Sequence, residues 1–144
     1  MKQSIKEKWV EALRSGDYER GEGALRRGYS KDSDKYCCLG VLCDIVKEEV
    51  EGDWKTWSDV TYQFAAYSAD DDAYEDVEEN RSTELLPRFV QEHAGLESDE
   101  PMVLVTDASG ERQMTASLTA LNDGIGGVNK RSFDEIADAI ERSL

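Results

Sequence analysis

Apolar residues recur at helical spacing in several stretches of this chain. Ile5, Trp9, Ala12 and Leu13 follow Ser4-Ile5-Lys6-Glu7, which reads as a capping box, and Gly16 stands where a helix should stop. That predicts a helix over about 5–15. Over 37–50, Cys38, Leu39, Leu42, Cys43, Ile45, Val46 and Val50 wrap more than one face, as in a helix at the centre of a core. Gly40 costs this helix about 1 kcal/mol of propensity, so a close backbone approach must offset it. Leu85, Leu86, Phe89 and Val90 form a further apolar face, with Pro87 in the first turn and Gly95 as the stop. Ser117 or Thr115 caps a short helix carrying Leu118 and Leu121 and ending near Asn122–Gly124. The last helix opens on a second capping box, Ser132-x-x-Glu135, and runs through Phe133, Ile136, Ala137, Ile140 and Leu144 at i, i+3, i+4, i+7 and i+11.

Strand signals are fewer. Met102–Thr106 and Glu111–Thr115 flank Ala108-Ser109-Gly110 and read as a β-hairpin. In 54–67, Trp54 and Trp57 suit one helical turn, while Val60, Tyr62 and Phe64 alternate as a strand does. The glycine-rich stretch 16–35 reads as a turn-rich connector with one short extended piece around Gly23–Arg27. It holds Arg20, Arg26, Arg27, Lys31 and Lys35, the most basic local cluster in the chain. The elements add up to an α+β fold, mainly helical: a single domain over 1–144, with four or five helices around the cysteine-bearing one and one small hairpin. A chain of 144 residues buries roughly two-thirds of its unfolded surface, enough for its own core.

Charge changes the picture more than composition does. Thirty-two acidic residues face 17 basic ones, a formal net charge of −15. Such a field disfavours direct binding to nucleic acid or anionic membrane and favours basic protein surfaces. No lysine or arginine occurs between Lys55 and Arg81, and an acidic insert occupies about 68–82. Asp70, Asp71, Asp72, Glu75, Asp76, Glu78 and Glu79 are its carboxylates, seven within ten residues. Written as a helix, Asp72, Glu75, Asp76 and Glu79 share one face, a row of charges that mimics a row of phosphates. A solvated acidic loop is the plainer reading. The absence of a long apolar run or a leader-like start points to a cytoplasmic protein.

The candidate chemistries are incomplete. Cys37, Cys38 and Cys43 are clustered and odd in number, and no Cys-x-x-Cys occurs, so neither a disulfide framework nor a zinc site is expected. Cys37 or Cys38, at a helix N-terminus, with His93 as base and Asn122 as its orienting group, would make a cysteine hydrolase. Core packing of the thiols and helix capping by His93 are the simpler roles. Asn122 and Asp123, with Cys37 and Cys38 opposite, are also the candidate walls of a small-ligand pocket. Gly124–Lys130 has the glycines of a phosphate cradle but not the spacing of one. No cofactor or metal is expected.

The run Tyr36-Cys37-Cys38-Leu39-Gly40-Val41-Leu42-Cys43-Asp44, the segment Leu121-Asn122-Asp123-Gly124 and the segment from Ser132 to Glu141 together resemble a family of small bacteriophage and prophage proteins with no assigned activity. The resemblance covers the cysteine helix and the last 25 or so residues, and does not extend to the acidic insert. It implies a mobile-element origin and gives weight to these positions, but carries no reaction. The expected function is therefore stoichiometric binding: inhibition of a host defence nuclease or nucleoprotein by a nucleic-acid mimic, whose partner is the basic surface of a host protein. A nucleotide-signal binder is the alternative, and a cysteine-dependent hydrolase the second.

Overall fold

A computed structural model describes residues 1–28, 34–69, 77–107 and 109–144. Helix α1 (Gln3–Arg14) leads into three very short strands, β1 (Glu19–Arg20), β2 (Arg26–Gly28) and β3 (Asp34–Tyr36). Helix α2 (Cys38–Val46) follows, then β4 (Gly52–Thr56), β5 (Tyr62–Ala66), the one-turn α3 (Val77–Asn80) and β6 (Arg81–Ser82). The chain closes with α4 (Arg88–Ala94), the hairpin β7 (Met102–Thr106) and β8 (Gln113–Ser117), α5 (Leu118–Asp123) and α6 (Phe133–Ser143).

The fold is α+β but not mainly helical. Eight strands, among the described residues, form three small sheets ordered β1-β3-β2, β4-β5-β6 and β7-β8. The expected connector over 16–35 is the first sheet, in which β3 pairs parallel with β1 and antiparallel with β2. Its strands run two or three residues and are half-exposed on both faces, so they carry no alternation for a sequence reading to find. Trp54 lies in β4 opposite Phe64, not in a helical turn. Its half-exposed ring packs edge-on against the rings of Tyr36 and Phe64, which explains an aromatic on a strand that is otherwise polar. The two sheets meet where Arg27 bridges Thr61 and the Gly28 N–H donates to the Val60 carbonyl at 2.9 Å.

Helix α2 lies at the centre, with seven of its nine residues buried. Helix α1 packs against it through Ile5, Trp9, Val10 and Leu13, and Trp9 Nε1 donates to the Cys38 carbonyl at 2.9 Å. On its other side α1 packs on α6, whose buried face is Phe133, Ile136, Ala137, Ala139 and Ile140. The α6 capping box forms: the Ser132 side chain accepts from Glu135 N–H, and Glu135 accepts from Ser132 N–H. These bonds hold the Glu135 carboxyl below the usual range. The capping box read at Ser4 does not form. The helix begins two residues earlier, at Gln3, and its N-cap is Lys2 without a side-chain bond.

Candidate functional site

The two motifs that stand far apart in sequence meet at one place. The helix break at Gly124, in the left-handed region at φ +71°, ends α5 so that Asn122 points inward and is fully buried. Asn122 Oδ1 accepts the Cys38 N–H at 3.1 Å. Its Nδ2 donates to the Gly21 carbonyl at 2.7 Å and to Asp123 Oδ1 at 2.8 Å. Asp123 Oδ2 in turn accepts the Gly23 N–H at 3.3 Å, and the Asn122 carbonyl accepts from Arg20 Nη1 at 2.7 Å. The N-terminus of α2 is closed in the same way. Cys37 Sγ accepts the Gly40 N–H at 3.4 Å, and the Cys37 N–H donates to the Leu25 carbonyl at 3.2 Å.

Gly40 explains why this helix tolerates its worst position. A Cβ there would stand 1.9 Å from the Leu25 carbonyl oxygen, so the chain through Leu25 runs directly over the helix. Cys37, Cys38, Asn122 and Asp123 thus do come together, as an interior joint and not as the lining of a pocket. The Cys38, Gly40 and Val41 N–H groups at the start of α2 already have partners within the protein.

All three thiols are buried. Burial in apolar surroundings pushes Cys37 up to about 12 and raises Cys38 and Cys43 well above their ordinary value. At neutral pH they are thiols and not the thiolates a nucleophile requires. His93 lies at the end of α4 with Nε2 3.3 Å from Glu49 Oε1, an exposed partner, and its contacts include neither cysteine. The glycines at 124, 126 and 127 all have positive φ, and Gly126 and Gly127 face open space, as in a surface turn. Among the described residues, no group of three His, Cys, Asp or Glu side chains could hold a metal ion. Among the described residues, no helix is long and apolar enough to cross a membrane either.

The ends of the motif Tyr36 to Asp44 face a second cluster. Asp44 accepts from Tyr18 Oη at 2.5 Å and Trp54 Nε1 at 2.9 Å. The rings of Tyr18, Tyr36, Trp54 and Phe64 follow one another edge to face, and Phe64 stacks on Phe89. The Arg26 guanidinium lies 4.2 Å from the centre of the Tyr62 ring and is paired with Asp34. Desolvation raises the Tyr36 phenol to about 12. Tyr18 Oη, Trp54 Nε1 and the Arg26 guanidinium all have carboxylate partners inside the cluster, which marks it as a packing device.

Of the acidic candidates, Asp70, Asp71, Asp72, Glu75 and Asp76 lie outside the described residues. Glu78 falls in α3. Glu79 is exposed and accepts from Arg88 Nη1 at 2.6 Å. The segment leaves β5 after Ala66 and returns through α3 to β6, where Arg81 pairs with Ala65. The Ala69 N–H donates to the Ala66 carbonyl, and Lys55 Nζ reaches the Ala69 carbonyl at 3.5 Å. Trp57 and Tyr67, 57% and 64% exposed, stand on the same hairpin.

A cleft of about 310 Å³ lies beside the Asn122 joint, lined by Arg20, Gly21, Glu22, Arg27 and Lys35. Sequence reasoning marked this stretch as basic but did not foresee a cleft, since its walls come from three short strands and a glycine turn. A larger cleft of about 530 Å³ runs along α1 and holds none of the candidate residues. A family model described as Domain of unknown function (DUF8296) matches residues 1–144. No curated protein and no solved structure matches the chain.

Proposed function

The chain belongs to that family, and we propose that it works by stoichiometric binding, presenting its acidic segment to the basic surface of a protein that normally holds nucleic acid. The observation that carries this reading is a run of seven carboxylates between 70 and 79 whose two ends are tied to adjacent, paired strands of one sheet. A free acidic tail pays a large entropy to dock, whereas a segment anchored at both ends pays less. Tyr67, 64% exposed just after β5 where the chain runs on toward the segment, is of a residue type that contributes strongly at protein interfaces. The net charge of −15 adds long-range attraction to a basic partner and repulsion from competing nucleic acid. A phage-type inhibitor of a host defence nuclease or nucleoprotein, acting in the host cytoplasm, fits these properties by analogy. A pocket at Asn122 is the weaker alternative because its amide is already spent on protein groups. Catalysis by Cys37 or Cys38 is disfavoured by the buried, neutral thiols.

The test compares wild type with the variant Asp72→Asn, Glu75→Gln, Asp76→Asn, Glu79→Gln for proteins retained from host lysate, followed by affinity measurement at two salt concentrations. Four charge-assisted contacts at about 1 kcal/mol each make the expected loss about a thousandfold. Exposed ion pairs alone would give far less. Equal affinity of the two proteins, with equal melting temperature, would refute the reading.

A further inference from the structure

We propose that the outer edge of β8 is an interface with a second copy of this chain. The two β8 strands pair antiparallel about Thr115, and the two hairpins join into one four-stranded sheet. This interface is separate from the acidic segment.

The hairpin register fixes which backbone groups point outward. The Asp107 N–H donates to the Arg112 carbonyl at 2.7 Å, and the Leu118 N–H to the Pro101 carbonyl at 3.0 Å. Bonded and non-bonded pairs alternate along an antiparallel ladder. Leu104 opposite Thr115 and Thr106 opposite Gln113 are therefore non-bonded pairs, whose N–H and C=O groups turn away from the neighbouring strand. The two edges of this sheet differ. On β7 the outward Leu104 N–H donates to Ser143 Oγ at 2.8 Å, and the outward Thr106 carbonyl accepts from Arg131 Nη2 at 2.7 Å. On β8, among the described residues, the outward main-chain groups of Gln113 and Thr115 have no partner. Both residues are exposed. They end the sheet in a free row of donors and acceptors, which is a template for another strand.

The usual guards of such an edge are missing. Natural edge strands carry lysine, proline, a bulge or an inward-pointing charge. The β8 sequence Gln-Met-Thr-Ala-Ser has none of these residues, and it pairs with β7 residue for residue without a bulge. No charged residue occurs over 113–122, although 34% of the chain is charged. The exposed face of the hairpin is uncharged as well. On it Met102, Leu104 and Thr106 stand opposite Ser117, Thr115 and Gln113.

Charge selects the occupant. A basic segment would be held by carboxylates along the edge, and an acidic one by lysine or arginine. The strand offers neither, and the Glu111 and Arg112 charges that precede it cancel. The edge suits a neutral strand, and β8 is itself one. Symmetry makes that neutrality necessary. About a two-fold axis at Thr115 the same side chains face one another, so a charge there would meet its like. Thr115 then exchanges both main-chain bonds with Thr115 of the second copy, and Gln113 falls opposite Ser117 at either end. Two chains of formal charge −15 repel, but charges further apart than a Debye length of about 8 Å are screened at physiological salt. A strand of five residues a side buries little area, so the dimer is weak and concentration-dependent.

The test is sedimentation velocity of the full chain from about 10 μM to about 1 mM, at low and at high sodium chloride, with amide hydrogen exchange followed by NMR on the same samples. The dimer fraction should rise with concentration. The dimer should also tighten as salt rises, because screening removes the repulsion between like-charged chains. Docking of the acidic segment on a basic partner has the opposite salt dependence, so the two readings fail separately. Exchange at the Gln113 and Thr115 amides should slow as the dimer forms, and exchange at Met114 and Ala116, already bonded to β7, should change less. Thr115→Lys sets like charges face to face and should weaken the dimer about fivefold or more, although it lowers the net negative charge. Thr115→Pro removes the outward N–H from both copies and should weaken it further, while the pairing with β7 does not use that N–H. Should Thr115→Pro fail to fold, Thr115→Lys, at an exposed side chain, decides the question. A chain that stays monomeric throughout would overturn the proposal. So would a dimer whose Gln113 and Thr115 amides exchange as in the monomer, one that weakens with salt, or one that Thr115→Lys leaves unchanged. A monomer whose Thr115 amide slows only when a synthetic peptide of alternating lysine and threonine is added would overturn it too, by giving the edge to a basic foreign strand.

Discussion

Replacing Asn122 tests whether the meeting point of the two motifs is an interior joint. In Asn122→Ala the Cys38 N–H and the Gly21 carbonyl lose their partners, and both residues are buried. Each orphan costs about 1–3 kcal/mol, so the pair costs about 2–6 kcal/mol, to which the vacated volume adds. For a domain of this size 1 kcal/mol moves the melting temperature by about 3–4 °C, so the expected fall is on the order of 10 °C or more. Asn122→Asp separates charge from shape. It keeps the acceptor for Cys38 but sets a carboxylate against Asp123 and the Gly21 carbonyl. Its folded-state pKa must therefore lie above its unfolded value. The stability deficit should shrink as pH falls toward the usual aspartate range and grow as pH rises through it. Chemical denaturation of wild type and both variants across pH 4–8 provides the measurement. A change of under a degree in Asn122→Ala, or an Asn122→Asp deficit independent of pH, would refute the account of Asn122 as a structural tie.

Two further outcomes follow from the same region. Gly40→Ala must push the Leu25 carbonyl oxygen away from a Cβ that would stand only 1.9 Å from it, and backbone cannot yield as a side chain can. Its destabilisation should exceed the 1–3 kcal/mol typical of ordinary overpacking, measured by denaturant midpoint; a stabilised variant would contradict the close approach. The thiols supply a pH window. Their folded-state values lie above the ordinary 9, so their contribution to stability is complete below pH 9 and is lost as pH rises toward about 12 for Cys37. Three thiols together should steepen the loss to as much as about 4 kcal/mol per pH unit. The native protein at pH 8 should also resist alkylation until denaturant is added, and rapid labelling of Cys37 without unfolding would contradict its burial.

How much of this was legible depends on length and periodicity. Helix α6 could be read because its capping box and five apolar positions agree. The cysteine helix could be read because an apolar run with a glycine inside it has few other uses. The β7–β8 hairpin was visible from two flanks and a turn, although β8 sits two residues later than expected. The first sheet was not legible. Glu19–Arg20, Arg26–Gly28 and Asp34–Tyr36 are polar and half-exposed, and what makes them strands is pairing between residues up to 16 apart. At the site, sequence singled out Cys38 and Asn122 but could not tell a ligand contact from an internal one. An amide that reaches three protein groups looks the same on paper as one that waits for a substrate.

The packing of α1 on α6 has a consequence for synthesis. A chain leaving the ribosome presents Ile5, Trp9, Val10 and Leu13 more than a hundred residues before the face that covers part of them has been made. The Cys38 N–H likewise waits for a residue 84 positions later. Domains built on such distant closures fold slowly, and their intermediates carry exposed apolar surface. Until the α6 segment emerges, the nascent chain therefore depends on chaperones or on its own negative charge to remain dispersed. A host that translates this message quickly would shorten that exposed interval without changing a single contact in the finished protein.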